Sequence, residues 1–130
     1  MVVSALAGGV ALAIDYGHLR GGRPRMGSLA GYRSGRLVAA VPDGSCDITA
    51  HVAMDSCAAA GTRAGAAASR LRTQRDALTT LGISGSRPPH DMARVDPLGY
   101  LRSLSQATQA AELTAASGLG AFLWLLQELG

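Results

Sequence analysis

The strongest hydrophobic pattern lies near the N-terminus, where an apolar run at residues 10–14 follows two glycines and ends in polar residues. A short run containing Val10 and Ile14 predicts a strand that is buried on both faces and delivers polar groups at its carboxyl end. In open α/β sheets, ligands bind beyond the carboxyl ends of the strands. We therefore expect chemistry at Asp15, Tyr16 and His18. The alternative is a core strand that simply continues into a solvated loop.

A long loop, residues 18–46, follows this strand. It is rich in Gly, Arg and Pro, contains a turn signal at 42–44, and holds a short ordered piece at 27–33. Loops of this length in a compact domain are usually functional or disordered. This segment is therefore the second place to look for a site.

The next pattern predicts a helix that begins at Asp47, whose carboxylate caps it, and ends at Gly61. Asp47, His51 and Asp55 are four positions apart, so they share one face of such a helix. This acid–histidine–acid row could orient the imidazole for proton transfer. The alternative is a solvated row of charges that contributes only about 0.2–0.5 kcal/mol per pair.

The C-terminal half alternates weak and strong signals. A weak strand is predicted near residues 70–72, followed by a helix that Thr73 and Asp76 open and Gly82 stops. A second helix starts at Asp96-Pro97. Its predicted buried face consists of Leu98, Leu101, Leu104, Ala107 and Ala111. The final apolar run, 121–126, predicts a strand, with a helix as the alternative. The element order is α/β in character.

Composition changes this picture little. All 12 basic residues are Arg, and the net charge is +3, which indicates a coding bias more than a binding surface. Nucleic-acid binders cluster basic residues and interleave aromatics. The Arg clusters at 20–25 and 70–75 contain no aromatic residue. We therefore expect no nucleic-acid partner.

Cysteine usage and hydropathy suggest a cytoplasmic protein. Cys46 and Cys57 lack metal-ligand spacing, which predicts reduced packing cysteines and no metal site. No run is long enough to span a bilayer, so no membrane partner is expected. Residues 1–13 resemble a cleavable leader, but no Lys or Arg precedes the apolar run. A small secreted protein is the less favoured alternative.

Nucleotide-binding signatures are missing. No Gly-x-Gly-x-x-Gly segment follows a strand and opens a helix, and there is no phosphate-binding loop or Gly-x-Ser-x-Gly elbow. If the protein handles a nucleotide-like cofactor, its main binding turn lies on sequence outside this chain.

Three segments stand out when they are taken together: Gly-Gly-x-Ala-Leu-x-Ile-Asp-Tyr-Gly (8–17), Gly-Ser-Leu-x-x-Tyr-Arg (27–33) and Asp-Ile-Thr-Ala-His-Val (47–52). In this order and spacing they resemble the C-terminal half of the MidA-like family of S-adenosylmethionine-dependent methyltransferases. A Thr-Gln-x-x-x-Leu-x-x-Leu-Gly segment (73–82) extends the resemblance. Where the family usually has Asp-Phe after His-Val, this chain has Ala53-Met54. Mitochondrial family members are arginine methyltransferases that assist assembly of respiratory complex I.

The resemblance implies an α/β fold: the C-terminal half of a class I Rossmann-like methyltransferase, as one partial domain over 1–130. Its mixed sheet would have an antiparallel closing strand, with residues 10–16 as the fifth strand and those near 70 and 121–126 as the closing pair. It implies S-adenosylmethionine as cofactor, held mainly by the N-terminal half, and a protein substrate whose arginine side chain accepts the methyl group. The chain alone is then a fragment, a split gene product or a decayed paralogue, inactive without that half.

The resemblance also implies which residues are catalytic and which bind the substrate. An arginine nucleophile needs carboxylates to hold the guanidinium and a group to accept its proton. The catalytic candidates are Asp15, Asp47 and His51, and the substrate-binding candidates are Tyr16, Tyr32, Arg33 and Thr49. The alternative function is a non-catalytic relic that binds a protein partner through the Arg-rich loop 19–36. The oligomeric state is left open.

Overall fold

The computed structural model describes residues 2–130. Two compact units make up the chain: Met1–Leu71 together with Leu125–Gly130, and Arg72–Trp124. In chain order the elements are α1 (Val2–Ala5), β1 (Gly9–Asp15), β2 (Gly17–His18), β3 (Ala30–Arg33), β4 (Arg36–Val38), β5 (Asp47–Thr49), β6 (Val52–Ala53), α2 (Met54–Arg63), β7 (Ala66–Thr73), α3 (Gln74–Thr80), α4 (Met92–Val95), α5 (Pro97–Leu113) and β8 (Leu123–Leu129). Short 3-10 turns lie at Arg20–Gly22 and Leu119–Ala121.

The apolar strand β1 lies at the edge of a three-stranded sheet of order β1-β8-β7. Its predicted burial on both faces is wrong for the described residues, because Val10 is 61% exposed, Leu12 48% and Ile14 44%. A strand is buried only where other elements cover it, and here β8 pairs with one edge alone. The C-terminal strand β8, predicted as strand or helix, is a strand in the centre of this sheet.

Segment 18–46 was expected to be a loop but contains ordered strands. Strand β3 pairs antiparallel with β4 on one side and with β5 on the other. The β3–β4 hairpin turns at Ser34 and Gly35, both with positive φ. The ordered piece expected at 27–33 therefore corresponds largely to the central strand of a small sheet.

The helix predicted to begin at Asp47 is displaced. Asp47 lies in β5, opposite Tyr32 of β3, and α2 begins only at Met54, where Ala53 occupies the N-cap position without a side-chain cap. The row Asp47–His51–Asp55 therefore does not share a helical face. A capping residue supplies only about 1 kcal/mol, so strand pairing outweighs it here.

Gly61 was predicted to end the helix, but it lies within α2. A Cβ at this position would collide with the side-chain amide of Gln127. That buried amide donates from Nε2 to the carbonyl oxygen of Ala58 (3.1 Å) and to Ser69 Oγ (3.3 Å). The helix ends instead before Gly65, whose φ of 107° suits glycine.

The predicted starts of α3 and α5 are confirmed in the second unit. The Thr73 hydroxyl accepts from the Asp76 N–H (3.1 Å), and Asp96 Oδ1 accepts from the Gly99 N–H (2.9 Å). The face of α5 predicted to be buried is partly wrong, because Leu98 is 71% exposed and Leu101 59%. Ala107 is buried as predicted, while Ala111 is exposed.

Candidate functional site

Three stretches of the first unit line a cavity of about 440 Å³ beyond the end of β1. We call it the Tyr16–His51 cavity, and its lining residues are Tyr16, Ser28, Ala30, Tyr32, Thr49 and His51. These stretches are far apart in sequence, so the backbone pairing of short strands must bring them together.

The first pairing joins the residues after β1 to the residues before α2. Strands β2 and β6 run parallel, with Gly17 opposite Val52, and the Val52 N–H donates to the carbonyl oxygen of Tyr16 (3.1 Å). Gly17 is required for this approach, because a Cβ there would lie 2.5 Å from the Val52 carbonyl oxygen. It would also lie 3.1 Å from the side chain of Met54, the most deeply buried large residue among those described.

This pairing sets the relation between Tyr16 and His51. Their rings meet edge to face, with centroids 5.5 Å apart and planes at 75°, a favourable arrangement for aromatic rings. The backbone N–H of His51 donates to the hydroxyl oxygen of Ser28 (2.9 Å). The Ser28 hydroxyl therefore fixes the backbone of His51, and Tyr16 contacts its ring. The His51 side chain nevertheless stays exposed.

The second pairing builds the opposite side of the cavity. In the β3–β5 register, Ala30 lies opposite Thr49 and Tyr32 opposite Asp47. Residues two apart on a strand share a face, and residues directly opposite in an antiparallel pair share it too. Asp47 therefore lies on the cavity face beside Tyr32, at the rim and outside the lining itself.

The structure brings together most of the predicted site residues. Tyr16, Tyr32, Thr49 and His51 all line the cavity. Asp15 is adjacent in sequence, and its Oδ1 accepts from the Tyr16 N–H (2.8 Å). Their chemical roles stay predictions, since proximity alone does not test them.

Arg33 and His18 lie elsewhere. Arg33 donates from Nε to the carbonyl oxygen of Ser45 (2.7 Å) and from Nη2 to Ser45 Oγ (2.6 Å), so its guanidinium anchors the loop before β5. His18 is half-buried and accepts at Nε2 from Arg23 Nε (3.2 Å). The Arg23 guanidinium also pairs with Asp55 (3.6 Å), which ties the loop containing Ser28 to the start of α2.

The anchoring loop also contains Asp43, a carboxyl whose titration is shifted by its neighbours. Hydrogen bonds from the Ser45 hydroxyl and the Ser45 N–H (2.8 Å) lower the pKa of Asp43 below its usual value. Asp43 is fully exposed, so this effect organises a surface turn and does not act in the cavity.

Sequence reasoning missed Ser28 as a site residue. The residue lies within the Gly-Ser-Leu segment at 27–29, which carried no chemical role of its own. Its function as an acceptor for a backbone N–H depends on a partner far along the chain. The available signal was a small polar residue inside an ordered piece of a Gly-rich loop.

The donor set of the cavity suits an organic cation. Two tyrosines and a histidine offer aromatic faces, no lining side chain is an arginine or lysine, and Asp47 shares the strand face of Tyr32 and Thr49. Aromatic faces attract a cation by about 0.5–2 kcal/mol. The Asp47 carboxylate would strengthen that attraction.

The same residues do not suit a nucleotide-like cofactor or a metal. No carboxylate lines the cavity to hold ribose hydroxyls, and within residues 2–130 no strand–glycine turn–helix unit forms a cradle for one. No cluster of three or more His, Cys, Asp or Glu side chains that could hold a metal ion occurs in that range either. Both cysteines are free. The prediction that they pack in the core is wrong for Cys57, which is exposed.

Membrane-crossing helices are also missing from the part of the chain that the structure describes, where each helix is too short or too polar for that role.

Comparison with known proteins finds a family match over more than half of the chain. Residues 1–71 match the model of a family described as "Putative S-adenosyl-L-methionine-dependent methyltransferase". The matched range contains the whole Tyr16–His51 cavity. A search of curated proteins finds no match.

Two solved structures from Burkholderia thailandensis are similar over 98% of this chain. One, an uncharacterized protein, is 29% identical with a TM-score of 0.78, and the chain covers 34% of it. The other belongs to the same superfamily, is described as a "likely methyl transferase" and is bound to S-adenosyl-homocysteine. It is 27% identical with a TM-score of 0.76, and the chain covers 33% of it. The chain thus spans about a third of the length of the structures it matches.

Proposed function

Because this chain belongs to that family of S-adenosyl-L-methionine-dependent methyltransferases, with the matching Rossmann-like α/β fold, we propose that it carries the methyl-acceptor site of such an enzyme. The family's cofactor is S-adenosylmethionine. The acceptor we propose is the guanidinium of a protein arginine. The observation that carries the proposal is the convergence of Tyr16, Tyr32 and His51 on one cavity.

The cavity chemistry supports a guanidinium acceptor in particular. A guanidinium is planar and stacks on aromatic faces, which the two tyrosines offer. It also forms paired hydrogen bonds with carboxylates, and Asp47 lies on the cavity face beside Tyr32. A compact ammonium would use neither feature as well.

We assign the roles of the chain's own residues as follows. The rings of Tyr16 and Tyr32 contact the acceptor guanidinium. The Asp47 carboxylate orients the guanidinium through hydrogen bonds, and Thr49 offers a hydroxyl on the same strand face as Asp47. A guanidinium must lose a proton as its nitrogen becomes a nucleophile, and we assign the acceptance of that proton to His51, which lines the cavity. Asp15 acts through the backbone of Tyr16, to which it is hydrogen-bonded.

We assign no cofactor contact to the described residues, because their donor set does not fit one. We propose that the donor of the methyl group is held by other parts of a longer enzyme; the longer relative of 27% identity is itself bound to S-adenosyl-homocysteine. We expect the 130-residue chain alone to bind S-adenosylmethionine weakly and to be inactive. Its cytoplasmic location stays a prediction on sequence grounds.

Calorimetric titration of the chain tests this division of labour. We expect acetyl-arginine-amide to bind with millimolar affinity, acetyl-lysine-amide at least fivefold more weakly, and S-adenosylmethionine to give no resolvable heat. A millimolar affinity is reasonable for a small ligand that gains mainly cation–π and one carboxylate interaction.

The opposite result would contradict the proposal. If S-adenosylmethionine binds tightly while the arginine compound does not, the cavity belongs to the cofactor. If neither binds, the acceptor assignment fails and the protein-interaction alternative, through the Arg-rich segment 19–36, gains support.

A further inference from the structure

A single arginine side chain links the loop that follows β2 to two other elements of the first unit. Arg23 Nε donates to His18 Nε2 of β2 (3.2 Å), and the Arg23 guanidinium pairs with Asp55 of α2, with Nη2 and Oδ1 3.6 Å apart. The loop, residues 19–27, continues directly into Ser28, which lines the Tyr16–His51 cavity. The contacts of Arg23 therefore bear on the position of a residue in the cavity wall.

The backbone of this loop places Arg23 between two tight turns. In the first turn the Gly22 N–H donates to the carbonyl oxygen of Leu19 (3.0 Å). In the second turn the Gly27 N–H donates to the carbonyl oxygen of Pro24 (3.2 Å). A residue that precedes proline favours an extended backbone, and Arg23, with φ of −64° and ψ of 124°, is extended. The Arg23 side chain thus leaves the loop from a defined backbone position.

The contact with His18 fixes the guanidinium more firmly than the ion pair does. The side chains of Arg23 and Asp55 are 50% and 31% exposed, and an ion pair at such a surface contributes little, because water screens it. His18 is half-buried, and the pairing of β2 with β6 fixes its backbone. Its ring therefore offers a fixed acceptor, and a hydrogen bond from a charged donor is stronger than one between neutral groups.

The same hydrogen bond determines the tautomer of the His18 ring. Because Nε2 accepts from Arg23, it carries no hydrogen, and the hydrogen of the neutral ring is on Nδ1. Nδ1 is buried and has no hydrogen-bond partner among the described residues. A doubly protonated ring would turn a second donor, and a second positive charge, toward the guanidinium. Only the neutral Nδ1–H form of His18 makes this contact.

We propose that His18 is a positioning residue for the Tyr16–His51 cavity. Its neutral ring orients the Arg23 guanidinium, and Arg23 holds the loop where the Ser28 hydroxyl meets the His51 N–H. This role belongs to a histidine that does not line the cavity itself. The inference goes beyond the proposed function, because the position of His51 is a property of the folded chain whichever ligand the cavity binds. Only its consequence for arginine binding rests on the proposed function.

Amide hydrogen exchange, measured by NMR, tests this role at the bond concerned. In His18→Ala the loop loses its fixed acceptor, so we expect the His51 N–H to exchange at least about fivefold faster. His18→Gln supplies a neutral side-chain oxygen as acceptor and should restore the exchange rate to within about twofold of the wild-type value. The Asp76 N–H, which donates to the Thr73 hydroxyl in the second unit (3.1 Å), is the internal control and should not change.

A double-mutant cycle tests whether His18 acts through Arg23. Arg23→Ala alone should accelerate the exchange of the His51 N–H by a factor similar to that of His18→Ala. Combining the two substitutions should give no further increase, because both remove the same interaction. Arg20→Ala, in the 3-10 turn of the same loop, is the matched control and should leave the exchange rate unchanged.

Nitrogen-15 NMR of the imidazole rings tests the tautomer without any substitution. We expect the neutral His18 ring to carry its hydrogen on Nδ1 in the wild-type chain. Arg23→Ala removes the donor that faces Nε2, so the Nε2–H tautomer should become populated in that variant. Because the wild-type spectrum alone reports the tautomer, this measurement decides the question even if a variant unfolds.

Calorimetry with acetyl-arginine-amide separates this inference from the proposed function. If the His51 exchange responds as expected while the arginine compound binds neither the wild-type chain nor the variants, the positioning role stands and the acceptor assignment fails. The inference is overturned by unchanged His51 exchange in His18→Ala, by equally fast exchange in His18→Ala and His18→Gln, or by an Nε2–H tautomer of His18 in the wild-type chain.

Discussion

The Tyr16–His51 pair and the His90–Tyr100 pair place the same side chains in two different settings. The first pair meets edge to face at 5.5 Å and lines a cavity. The ring centroids of the second pair are 6.3 Å apart, with the ring planes at 33°. Both residues belong to the second unit, Arg72–Trp124, and neither lines that cavity. Residue type alone therefore does not make a site. The difference lies in the backbone that carries each pair.

Long-range backbone pairing supports the first pair and local structure supports the second. Tyr16 and His51 are joined by β2–β6 pairing across Gly17, and Ser28 fixes the His51 backbone. His90 precedes α4 and Tyr100 lies in α5, so neighbouring helical turns bring them together. A site assembled from distant segments is rigid only while each of those pairings holds, which makes it testable by breaking them.

The largest effect should come from Gly17→Ala. Its Cβ would collide with the Val52 carbonyl oxygen, so we expect about 1–3 kcal/mol less stability in urea unfolding and loss of acetyl-arginine-amide binding. Gly21→Ala is the matched control, since nothing lies within 4 Å of its Cβ, and it should change stability by less than about 0.5 kcal/mol. Equal effects of the two changes would show that the β2–β6 approach is not critical.

Tyr32→Ala should weaken arginine-compound binding next most strongly. Removing one aromatic face is expected to cost about 0.5–2 kcal/mol, roughly a 2- to 30-fold loss of affinity by calorimetry. Tyr100→Ala removes the same ring from the second pair and should leave that affinity unchanged. If Tyr100→Ala weakens binding as much, the ligand does not occupy the Tyr16–His51 cavity.

Ser28→Ala should have a smaller effect of the same kind. It deletes the acceptor for the His51 N–H, so we expect a loss of roughly 0.5–1.5 kcal/mol in stability and a moderate loss of binding. In the second unit Ser84 donates to Ser86 on the surface, and Ser86→Ala should change neither quantity. A silent Ser28→Ala would mean that other interactions alone position His51.

The smallest effect is a pH dependence at Asp43. Because the pKa of Asp43 is lowered by Ser45, the carboxylate stabilises the folded chain above its unfolded pKa, and this contribution is lost as the pH falls through the lower folded value, below about pH 4. Asp43→Asn should therefore lower the Tm slightly at pH 7 and not at pH 2. Asp91→Asn, another exposed acid, is the control; an identical pH profile for both variants would contradict the assignment.

The features that could be predicted from sequence depend on local chemistry. The caps at Thr73 and Asp96 require only a side chain and an N–H three residues away, and both form as predicted. The grouping of Tyr16, Tyr32, Thr49 and His51 was accessible through the resemblance of whole motifs. Each of the three motifs contributes at least one residue to the cavity lining.

The errors concern features that depend on distant partners. Asp47 has the sequence of a helix cap, yet its pairing with Tyr32 makes it part of a strand. The exposure of β1 depends on what lies beside it, and that information is not contained in residues 10–14. Ser28 gains its role only because the antiparallel pairing of β3 with β5 brings the backbone of His51 alongside it.

The central claim, that the Tyr16–His51 cavity binds a guanidinium, is tested most directly by proton–carbon NMR of the histidine Cε1–Hε1 groups during titration with methylguanidinium. His18, His51 and His90 provide three probes in one spectrum. The account predicts saturable shifts at His51 with His90 unmoved. Shifts at His90, or binding by calorimetry that leaves His51 unmoved, would contradict it.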